Sequence, residues 1–257
     1  MKFFISGGSG YIGVNLRKHI ADNYDDCDWM NYDQTAGFDI LDERRLYRQM
    51  KNCDAVIHLA AIPDVSYCER NVLEAVDVNV YGTRIVAENA QILGLPIVMS
   101  STFAAKSAHN VYGMTKNLAE RFVLKANGVV LRFSNVYGGL GYLTRKHTVM
   151  ANFIGRKKAG IEATIFGDGS AKRDFIHVSD VCDAIVKALG APPGIYEICT
   201  GKKTSIKELA DMIEVPYTFG SQRRGDIKEV PGEPSYEALK WKPKVTLEEG
   251  LKELLEE

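Results

Sequence analysis

A glycine-rich run near the N-terminus constrains this chain more than any other feature. The run, Gly7-Gly8-Ser9-Gly10-Tyr11-Ile12-Gly13, follows a short apolar segment at residues 3–6 and opens a segment with helical periodicity at residues 11–21. Glycines at this spacing allow a tight turn, close approach of the backbone to a pyrophosphate, and close contact between helix and strand. The helix N-terminus adds N–H groups and a partial positive charge. The run therefore predicts a dinucleotide site; a plain glycine-rich turn is the alternative. The residues assigned to this site are Gly7, Gly10, Tyr11, Ile12 and Gly13.

The rest of the chain indicates an α/β fold. Nearly continuous apolar segments at 55–60, 96–101 and 129–133 alternate with helical patterns, which is typical of a parallel sheet covered on both faces. We predict a Rossmann-type doubly wound parallel sheet that forms a dinucleotide-binding domain over residues 1–138. Turn-rich pieces separate the helical patterns after residue 138, which predicts a smaller α/β substrate lobe over residues 139–257. This boundary is soft, because later segments can cross back.

Composition and charge exclude several classes of protein. The formal net charge of −1 gives no reason to expect a nucleic-acid partner. The five cysteines show no C-x-x-C pair and no spacing typical of metal ligands, so we expect reduced thiols in a cytoplasmic protein without a metal site. No stretch approaches the ~18 apolar residues of a membrane span, and the first apolar run is too short for a signal sequence. We therefore expect no membrane partner.

Asp33 indicates the type of dinucleotide. It follows a predicted strand at residues 29–32, about 20 residues beyond the last glycine of the motif. A carboxylate there accepts hydrogen bonds from the adenosine ribose and repels a 2′-phosphate, and no arginine follows within several residues, so we expect NAD rather than NADP. The alternative is a turn aspartate at a strand end. Asp39 and Ile40 could hold the adenine edge, although Asp39 could also be the N-cap of the next helix.

A second set of residues has the pattern of acid–base chemistry. Ser100-Ser101-Thr102 ends a predicted strand, and Tyr112 and Lys116 follow at a spacing that places both on one helix face. An ammonium beside a phenol stabilises the phenolate and makes tyrosine a usable base near neutral pH. The threonine hydroxyl completes a path to a substrate oxygen. We therefore assign Thr102, Tyr112 and Lys116 as catalytic residues, and Tyr112 and Lys116 also as cofactor-binding residues, since the ammonium can hold the nicotinamide ribose; a solvated helix face is the alternative.

Together with further motifs, these features resemble the extended short-chain dehydrogenase/reductases that act on nucleotide sugars, with UDP-glucose 4-epimerase as the nearest type. The further motifs are His58-Leu59-Ala60-Ala61, Asn79-Val80-Tyr81-Gly82-Thr83, Leu131-Arg132-Phe133-Ser134-Asn135-Val136-Tyr137-Gly138, Phe166-Gly167-Asp168-Gly169-Ser170, Arg173-Asp174-Phe175, Arg223-Arg224-Gly225-Asp226 and Trp241-Lys242-Pro243. The resemblance covers nearly the whole chain. It implies NAD as cofactor, a nucleotide sugar (most simply a UDP-sugar) as substrate, and a homodimer formed by helix pairing that includes residues 79–93 and the helix of Tyr112.

The resemblance also implies roles for residues that spacing alone does not single out. Leu59, Ala60 and Ala61 would line the pyrophosphate and ribose side of the cofactor, and Asn79 would support the strand and the cofactor near it. The residues implied at the substrate are Asn135 and the clamp of Arg173 and Arg223 on the diphosphate, with Phe166 near the base. A guanidinium fork matches phosphate oxygens, which agrees with the two arginines. Surface ion pairs with Asp174 and Asp226 are the alternative.

Two departures from the family pattern bear on the sugar pocket. Only the segment 103–110 separates Thr102 from the helix of Tyr112, and Glu197 stands where the family has asparagine. We therefore expect a more open sugar pocket.

The family contains several reactions, and residues after Thr102 discriminate between them. Dehydratases of this family place Asp-Glu there, whereas this chain has Phe103 and Ala104, which can neither donate nor accept a proton. Reductases of this family more often take NADPH, against which Asp33 argues. We therefore predict an NAD-dependent 4-epimerase that interconverts UDP-glucose and UDP-galactose by transient oxidation at C4 and return of the hydride. The alternatives are an NAD(P)-dependent nucleotide-sugar reductase or dehydrogenase, and a dinucleotide-binding module without turnover.

Overall fold

A computed structural model of the chain describes residues 1–145, 147–222 and 232–256. The strands in these ranges are β1 (Lys2–Ser6), β2 (Asp28–Tyr32), β3 (Ala55–His58), β4 (Ile97–Thr102), β5 (Val129–Phe133), β6 (Asn135–Tyr137), β7 (Ala163–Phe166), β8 (Lys172–Arg173), β9 (Phe175–His177), β10 (Gly194–Ile198), β11 (Thr204–Ser205) and β12 (Tyr217–Gly220). The α-helices are α1 (Tyr11–Asn23), α2 (Glu43–Met50), α3 (Val65–Arg70), α4 (Val72–Val76), α5 (Thr83–Leu93), α6 (Ala104–Ser107), α7 (Val111–Lys125), α8 (Val149–Ala159), α9 (Val178–Ala188), α10 (Ile206–Ile213), α11 (Tyr236–Leu239) and α12 (Leu247–Glu256).

The central element is a six-stranded parallel sheet with the order β10-β5-β4-β3-β1-β2. This confirms the predicted α/β fold with a doubly wound parallel sheet. The chain passes from β1 outward to β2 and then returns to the other side of β1 with β3. The ends of β1 and β3 therefore form the topological switch point, where open α/β sheets bind their ligands.

Both faces of this sheet are covered, as the continuous apolar strands predict. On one face, Phe4, Val56, Met99 and Val130 pack in a core cluster with buried residues of α2, α5 and α7. The residues next to them in each strand, such as Ile57, are also fully buried. Since side chains alternate between the faces of a strand, the second face is buried as well.

The helix predicted at residues 79–93 has an unexpected beginning. Asp77–Gly82 forms a π-helical turn, and α5 begins only at Thr83. The Thr83 hydroxyl donates to the carbonyl oxygen of Asn79 at 2.7 Å within this turn. The wider turn is consistent with the tendency of π-helical segments to occur at functional sites.

The chain divides into two compact units whose bounds differ from a single cut at residue 138. The first unit comprises Met1–Phe133, Cys182–Ile198 and Ser235–Trp241, and the second comprises Ser134–Val181, Cys199–Pro234 and Lys242–Glu257. The chain returns to the first unit because β10 completes the central sheet beside β5. In the described part of the second unit, the strands form three two-stranded pairs, β11-β8, β12-β7 and β6-β9. The assignment of cofactor binding to residues 1–138 and substrate binding to residues 139–257 stays a prediction.

Within the described ranges, no helix has both the length and the apolar character needed to cross a membrane.

Candidate active site

The glycine run forms the predicted turn between β1 and α1. Gly7 has a φ of +73°, and a Cβ there would lie 2.6 Å from the backbone nitrogen of Ala60, two residues after β3. A Cβ on Gly13 would lie 2.6 Å from the carbonyl oxygen of Gly7. Gly10 is the N-cap of α1 and makes no side-chain cap hydrogen bond. Glycine is therefore required at both ends of the run, and the turn has the cradle shape that a pyrophosphate needs.

Asp33 lies directly after β2, where its carboxylate is held by the neighbouring turn. Its Oδ1 accepts hydrogen bonds from the backbone N–H and the hydroxyl of Thr35 at 2.9 and 2.8 Å, and its Oδ2 accepts one from the N–H of Ser9 at 3.2 Å. Partial burial raises the pKa of Asp33, but these hydrogen bonds outweigh it and hold the pKa below its usual value. The carboxylate is therefore ionised at neutral pH.

One cleft in the first unit brings together seven of the fourteen predicted cofactor residues. The predicted residues that line it are Gly7, Gly10, Asp33, Ile40, Leu59, Ala60 and Ala61. Its volume is about 260 Å³. Tyr11, Ile12 and Gly13 continue from this lining into α1. Sequence reasoning missed further lining residues, including Thr35 and Phe38, although Thr35 could have been noticed from its position two residues after Asp33.

Asp39 is exposed and is not among the residues that line this cleft. Its Oδ1 accepts a hydrogen bond from the N–H of Leu41 at 2.9 Å. The alternative view of Asp39 as a helix N-cap is wrong, because the N-cap of α2 is Asp42, whose side chain accepts from the N–H of Arg45. A role for Asp39 at the adenine stays a prediction.

Asn79 holds the segment that follows β3. The side chain is fully buried, and its Oδ1 accepts from the N–H of Ile62 at 2.8 Å while its Nδ2 donates to the carbonyl of Ile62 at 3.2 Å. The same Nδ2 donates to the hydroxyl of Thr115 on α7 at 3.1 Å. Asn79 thus connects the cleft segment Leu59–Ile62 to the helix that carries Tyr112 and Lys116.

His58, at the end of β3, belongs to the same buried network. Its Nδ1 is 2.6 Å from the Ser6 hydroxyl, and its Nε2 is 2.8 Å from the Thr83 hydroxyl. Because the Thr83 hydroxyl donates to Asn79, it must accept from His58, which places the ring proton on Nε2. Burial, with a further contribution from the Lys116 charge, lowers the pKa of His58 to about 3, so the ring is neutral.

The candidate catalytic residues lie on two elements of the first unit. Thr102 is the last residue of β4, and its Oγ1 accepts a hydrogen bond from the N–H of Ala104 at 3.2 Å. Tyr112 and Lys116 lie one turn apart on α7, whose N-terminus is capped by the Asn110 side chain. Lys116 is only 2% exposed. Burial lowers its pKa to about 8, and the Glu120 carboxylate opposes that shift. Such a lysine is still largely protonated near pH 7, as phenolate stabilisation requires.

The substrate residues predicted from the resemblance lie in the second unit. Asn135 is exposed on β6 and donates from Nδ2 to the carbonyl of Asp174 at 3.1 Å. Phe166 ends β7 and is exposed, and Arg173 lies on β8 with its Nη1 donating to the carbonyl of Lys172 at 2.8 Å. Arg223 lies outside the described residues. Whether these side chains contact a nucleotide sugar stays a prediction.

Asp174, considered above as an ion-pair partner of Arg173, has a different set of contacts. Its carboxylate is buried and accepts hydrogen bonds from the Ser134 hydroxyl at 3.0 Å and from the N–H and hydroxyl of Thr200 at 3.0 Å each. It therefore connects the start of β6 to the turn after β10.

Comparisons with known proteins identify the family. A family model described as "NAD dependent epimerase/dehydratase family" matches residues 3–199. The chain belongs to this family. A relative from Methanocaldococcus jannaschii, of the UDP-glucose 4-epimerase type, is 30% identical over 98% of this chain and 96% of its own length. The UDP-glucose 4-epimerase of Thermotoga maritima, solved with UDP-glucose, is 26% identical, covers 100% of this chain and 98% of its own, and has a TM-score of 0.90.

Family membership establishes an enzyme that uses NAD, and it leaves the reaction open. A further solved structure, MoeE5 with UDP-glucose and NAD, is 25% identical, covers 100% of this chain and 98% of its own, and has a TM-score of 0.88. The relatives also include a dTDP-D-glucose 4,6-dehydratase of Mus musculus and a GDP-6-deoxy-D-mannose reductase of Pseudomonas aeruginosa.

The cleft of the first unit fits NAD on its own geometry. Gly7 and Gly13 leave a turn that a Cβ would fill, which suits a pyrophosphate at the N-terminus of α1. An ionised Asp33 at the end of β2 suits a ribose with free hydroxyls rather than a second phosphate. The residues described contain no group of three or more His, Cys, Asp or Glu that could hold a metal ion.

Proposed function

We propose that the protein is a nucleotide-sugar 4-epimerase that interconverts UDP-glucose and UDP-galactose. The observation that carries the proposal is that Tyr112 and a buried Lys116 lie one turn apart on α7, which packs against the strand that ends in Thr102. The names of the relatives support a UDP-sugar as substrate.

The residues of this chain have separate roles in the proposed reaction. Tyr112, as phenolate, takes the proton from the sugar 4-hydroxyl, and it returns that proton when the hydroxyl is restored on the opposite face. The Lys116 ammonium stabilises the phenolate. The Thr102 hydroxyl accepts from Ala104, so its own proton is directed to another acceptor, which we assign to the sugar oxygen. The chemistry that bound NAD supplies is reversible hydride acceptance, so that no second substrate is needed.

The residues after Thr102 favour epimerisation over dehydration. Phe103 and Ala104 occupy these positions, and Ala104 begins the short helix α6. Neither side chain can transfer a proton, so elimination of water would lack its acid and its base.

A homodimer is part of the proposal. The α5–α7 region exposes large apolar side chains, among them Ile92 at 72% and Leu118 at 50%. Apolar residues that are exposed together on neighbouring helices are typical of an association surface. The mass in solution tests this, and Leu118→Glu is expected to give a monomer if the surface pairs two copies.

The function is tested by incubating the protein with NAD and either UDP-glucose or UDP-galactose. Interconversion of the two sugars without net formation of NADH supports the proposal. Accumulation of NADH would instead indicate a dehydrogenase, and the absence of any reaction with these and other nucleotide sugars would favour a dinucleotide-binding module.

A further inference from the structure

Three neighbouring strands of the central sheet carry polar side chains in one row near their carboxyl ends. Arg132 of β5 is in register with Ser101 of β4 on one side and with Glu197 of β10 on the other. Residues in register across parallel strands point to the same face. The row lies two residues beyond Met99 and Val130, which face α7 in the core cluster, so it faces the helix that carries Tyr112 and Lys116.

Glu120 of α7 completes this row from the helix side. It is 1% exposed. Its Oε1 accepts from the Ser101 hydroxyl at 2.5 Å and from Arg132 Nε at 2.9 Å, and its Oε2 accepts from the Arg132 guanidinium at 2.6 Å. The hydrogen bond to Glu120 is the main reason that the pKa of Arg132 is raised. Both oxygens of this buried carboxylate are therefore fixed by partners.

The position of Glu120 relates it to both parts of the candidate catalytic set. It lies one helical turn after Lys116, as Lys116 lies one turn after Tyr112, so the three share one face of α7. Its partner Ser101 is the residue before Thr102. One carboxylate thus connects α7 to the strand end that carries Thr102.

The outer end of the row reaches the short segment between Thr102 and Tyr112. Glu197 pairs with Lys106 of α6 at 2.6 Å, and its charge also acts on Arg132. The charges alternate in sign from Lys106 through Glu197, Arg132 and Glu120, which together we call the charge row. Glu197 departs from the family pattern, and it pairs with the shortened segment through Lys106.

We propose that Glu120, held by Arg132, is a positioning residue for the catalytic set: it keeps the Lys116 ammonium charged and in place, and it fixes α7 against the Ser101–Thr102 strand end. The proposal rests on the catalytic roles proposed for Tyr112 and Lys116. A well-packed apolar pair is often at least as stable as a buried ion pair, so stability alone does not account for this one.

The first experiment compares Glu120→Gln with the double variant Glu120→Gln/Arg132→Gln. The single variant leaves the mostly buried Arg132 guanidinium without its carboxylate, whereas the double variant removes both charges, so we expect the melting temperature to fall in the first and to recover largely in the second. The kcat is expected to fall by about tenfold in both, with KM for the sugar nucleotide within about twofold, because positioning affects the reacting groups rather than substrate binding. Recovery of kcat together with the melting temperature would reduce Glu120 to a structural role and overturn the proposal.

The second experiment measures Lys116 without requiring turnover. In protein labelled with ¹³C-lysine, the Lys116 resonance is assigned as the one that is absent from the spectrum of Lys116→Met. The pH dependence of its chemical shift then gives the midpoint at which the ammonium loses its proton. Removal of the nearby negative charge destabilises the ammonium, so Glu120→Gln is expected to shift the midpoint to lower pH by about one pH unit. The elements packed against α7, and α7 itself, carry these charged or titratable groups besides Lys116: Tyr67, Cys68, Glu69 and Arg70 of α3, Glu74 of α4, Asp77 and Tyr81 of the π-helical turn, Arg84 and Glu88 of α5, Lys106 of α6, Arg132 of β5, and Tyr112, Glu120, Arg121 and Lys125 of α7. The Lys116 charge also acts on His58 of β3. His58 stays neutral in this pH range, since its pKa is about 3.

Glu214→Gln is the matched control, because it makes the same change in charge in an exposed ion pair with Lys157. It is expected to leave the Lys116 midpoint unchanged. An unchanged midpoint in Glu120→Gln would overturn the proposal even if the parent protein epimerises UDP-sugars. A parent protein without epimerase activity would contradict the proposed function, and the titration would still decide the role of Glu120.

Discussion

The two compact units hold their candidate ligand-binding groups in opposite environments. In the first unit, the candidate catalytic residue Lys116 is almost fully buried on α7, which packs against the six-stranded sheet. In the second unit, Asn135 is exposed on a three-residue strand, and Arg173 is half-buried on a two-residue strand. The larger sheet can bury polar side chains with fixed partners, whereas a pair of short strands leaves its side chains near solvent.

The difference in burial implies different contributions of the two units to activity. Buried groups such as Lys116 have their charge state set by the fold before any ligand arrives. The Arg173 side chain is half-buried and donates to a backbone carbonyl. Electrostatic attraction between its guanidinium and a ligand therefore acts close to solvent, where salt can screen it. We therefore expect the chemistry to depend on the first unit and sugar-nucleotide affinity to depend on the second.

The largest expected effect comes from Tyr112 in the first unit. Tyr112→Phe removes the proposed base and is expected to lower turnover by at least ~10²-fold, the scale of general acid–base catalysis, while NAD affinity is kept. Steady-state kinetics and an NAD titration measure the two. Tyr47→Phe, an exposed tyrosine on α2, is the control. Unchanged turnover in Tyr112→Phe would mean that the proton moves through another group.

The next effect tests the second unit through Arg173. If its guanidinium grips the substrate diphosphate, Arg173→Ala removes charge-assisted hydrogen bonds worth roughly 1.5–3 kcal/mol and weakens UDP binding by about tenfold to a hundredfold. Arg173→Lys is expected to restore only part of this, because a point charge cannot replace a two-pronged contact. Arg223→Ala, outside the described residues, carries the same expectation.

Separate titrations of UDP and NAD decide the arginine prediction. NAD affinity is expected to stay the same, because its proposed site lies in the first unit. Equal losses for both ligands would indicate a folding defect, and no loss for UDP would assign the arginine to a surface role. Lys172→Ala, the neighbouring cation on β8, is the matched control.

A smaller effect is expected at Asp33, where the first unit discriminates between cofactors. Asp33→Ala removes the ionised carboxylate and is expected to narrow the preference for NAD over NADP by about tenfold. Arg45 is a cation close to this cleft, since its guanidinium lies 4.2 Å from the ring centre of Phe38, which lines the cleft. Equal affinities for the two dinucleotides in the parent protein would contradict the assignment.

The sequence predicts the first unit well where the signals are local. The glycine run and the apolar strands follow from short-range sterics and from burial of both sheet faces, and the structure has both where they were expected. The return of β10 to the central sheet has no local signal, because pairing of parallel strands is decided by tertiary contacts. The π-helical turn at Asp77–Gly82 likewise has no local signal in the sequence, and it holds Asn79, whose side chain bonds to Ile62 in a distant part of the sequence.

The charge row shows why part of a site escapes sequence reasoning. Glu120 looks like an ordinary charged residue of an amphipathic helix, and Arg132 looks like an ordinary interruption of an apolar strand. The ion pair between them can be recognised only from the strand register, which places Arg132 between Ser101 and Glu197. Glu197 was noticed because it departs from a family pattern, but its partner Lys106 could not be named without the fold.

The smallest expected effect concerns the stability of the second unit alone. Ser205 caps α10 in a reciprocal arrangement: its hydroxyl accepts from the N–H of Glu208 at 3.1 Å, and the Glu208 carboxylate accepts from the N–H of Ser205 at 2.7 Å. Ser205→Ala is expected to destabilise the helix by about 1 kcal/mol, which is about a fivefold increase in opening. Hydrogen exchange of the amides in Ile206–Ile213 measures this increase.

Fluorescence gives the comparison with the first unit, because both tryptophans, Trp29 and Trp241, lie in that unit. If the units unfold separately, Ser205→Ala speeds exchange in α10 but leaves the tryptophan unfolding transition and NAD affinity unchanged.

The stability of α10 also has a defined pH dependence. The hydrogen bonds from Ser205 hold the pKa of Glu208 below its usual 4.5, so the contribution of the carboxylate is present above that value and is lost as pH falls through the lowered pKa. The stability of α10 should therefore fall in acid in the parent and in Ser205→Ala alike, because the variant keeps the backbone N–H that donates to the Glu208 carboxylate. A shift of the tryptophan transition equal to the loss in α10 would show that the two units unfold as one, and the contrast between them would then be one of chemistry and not of stability.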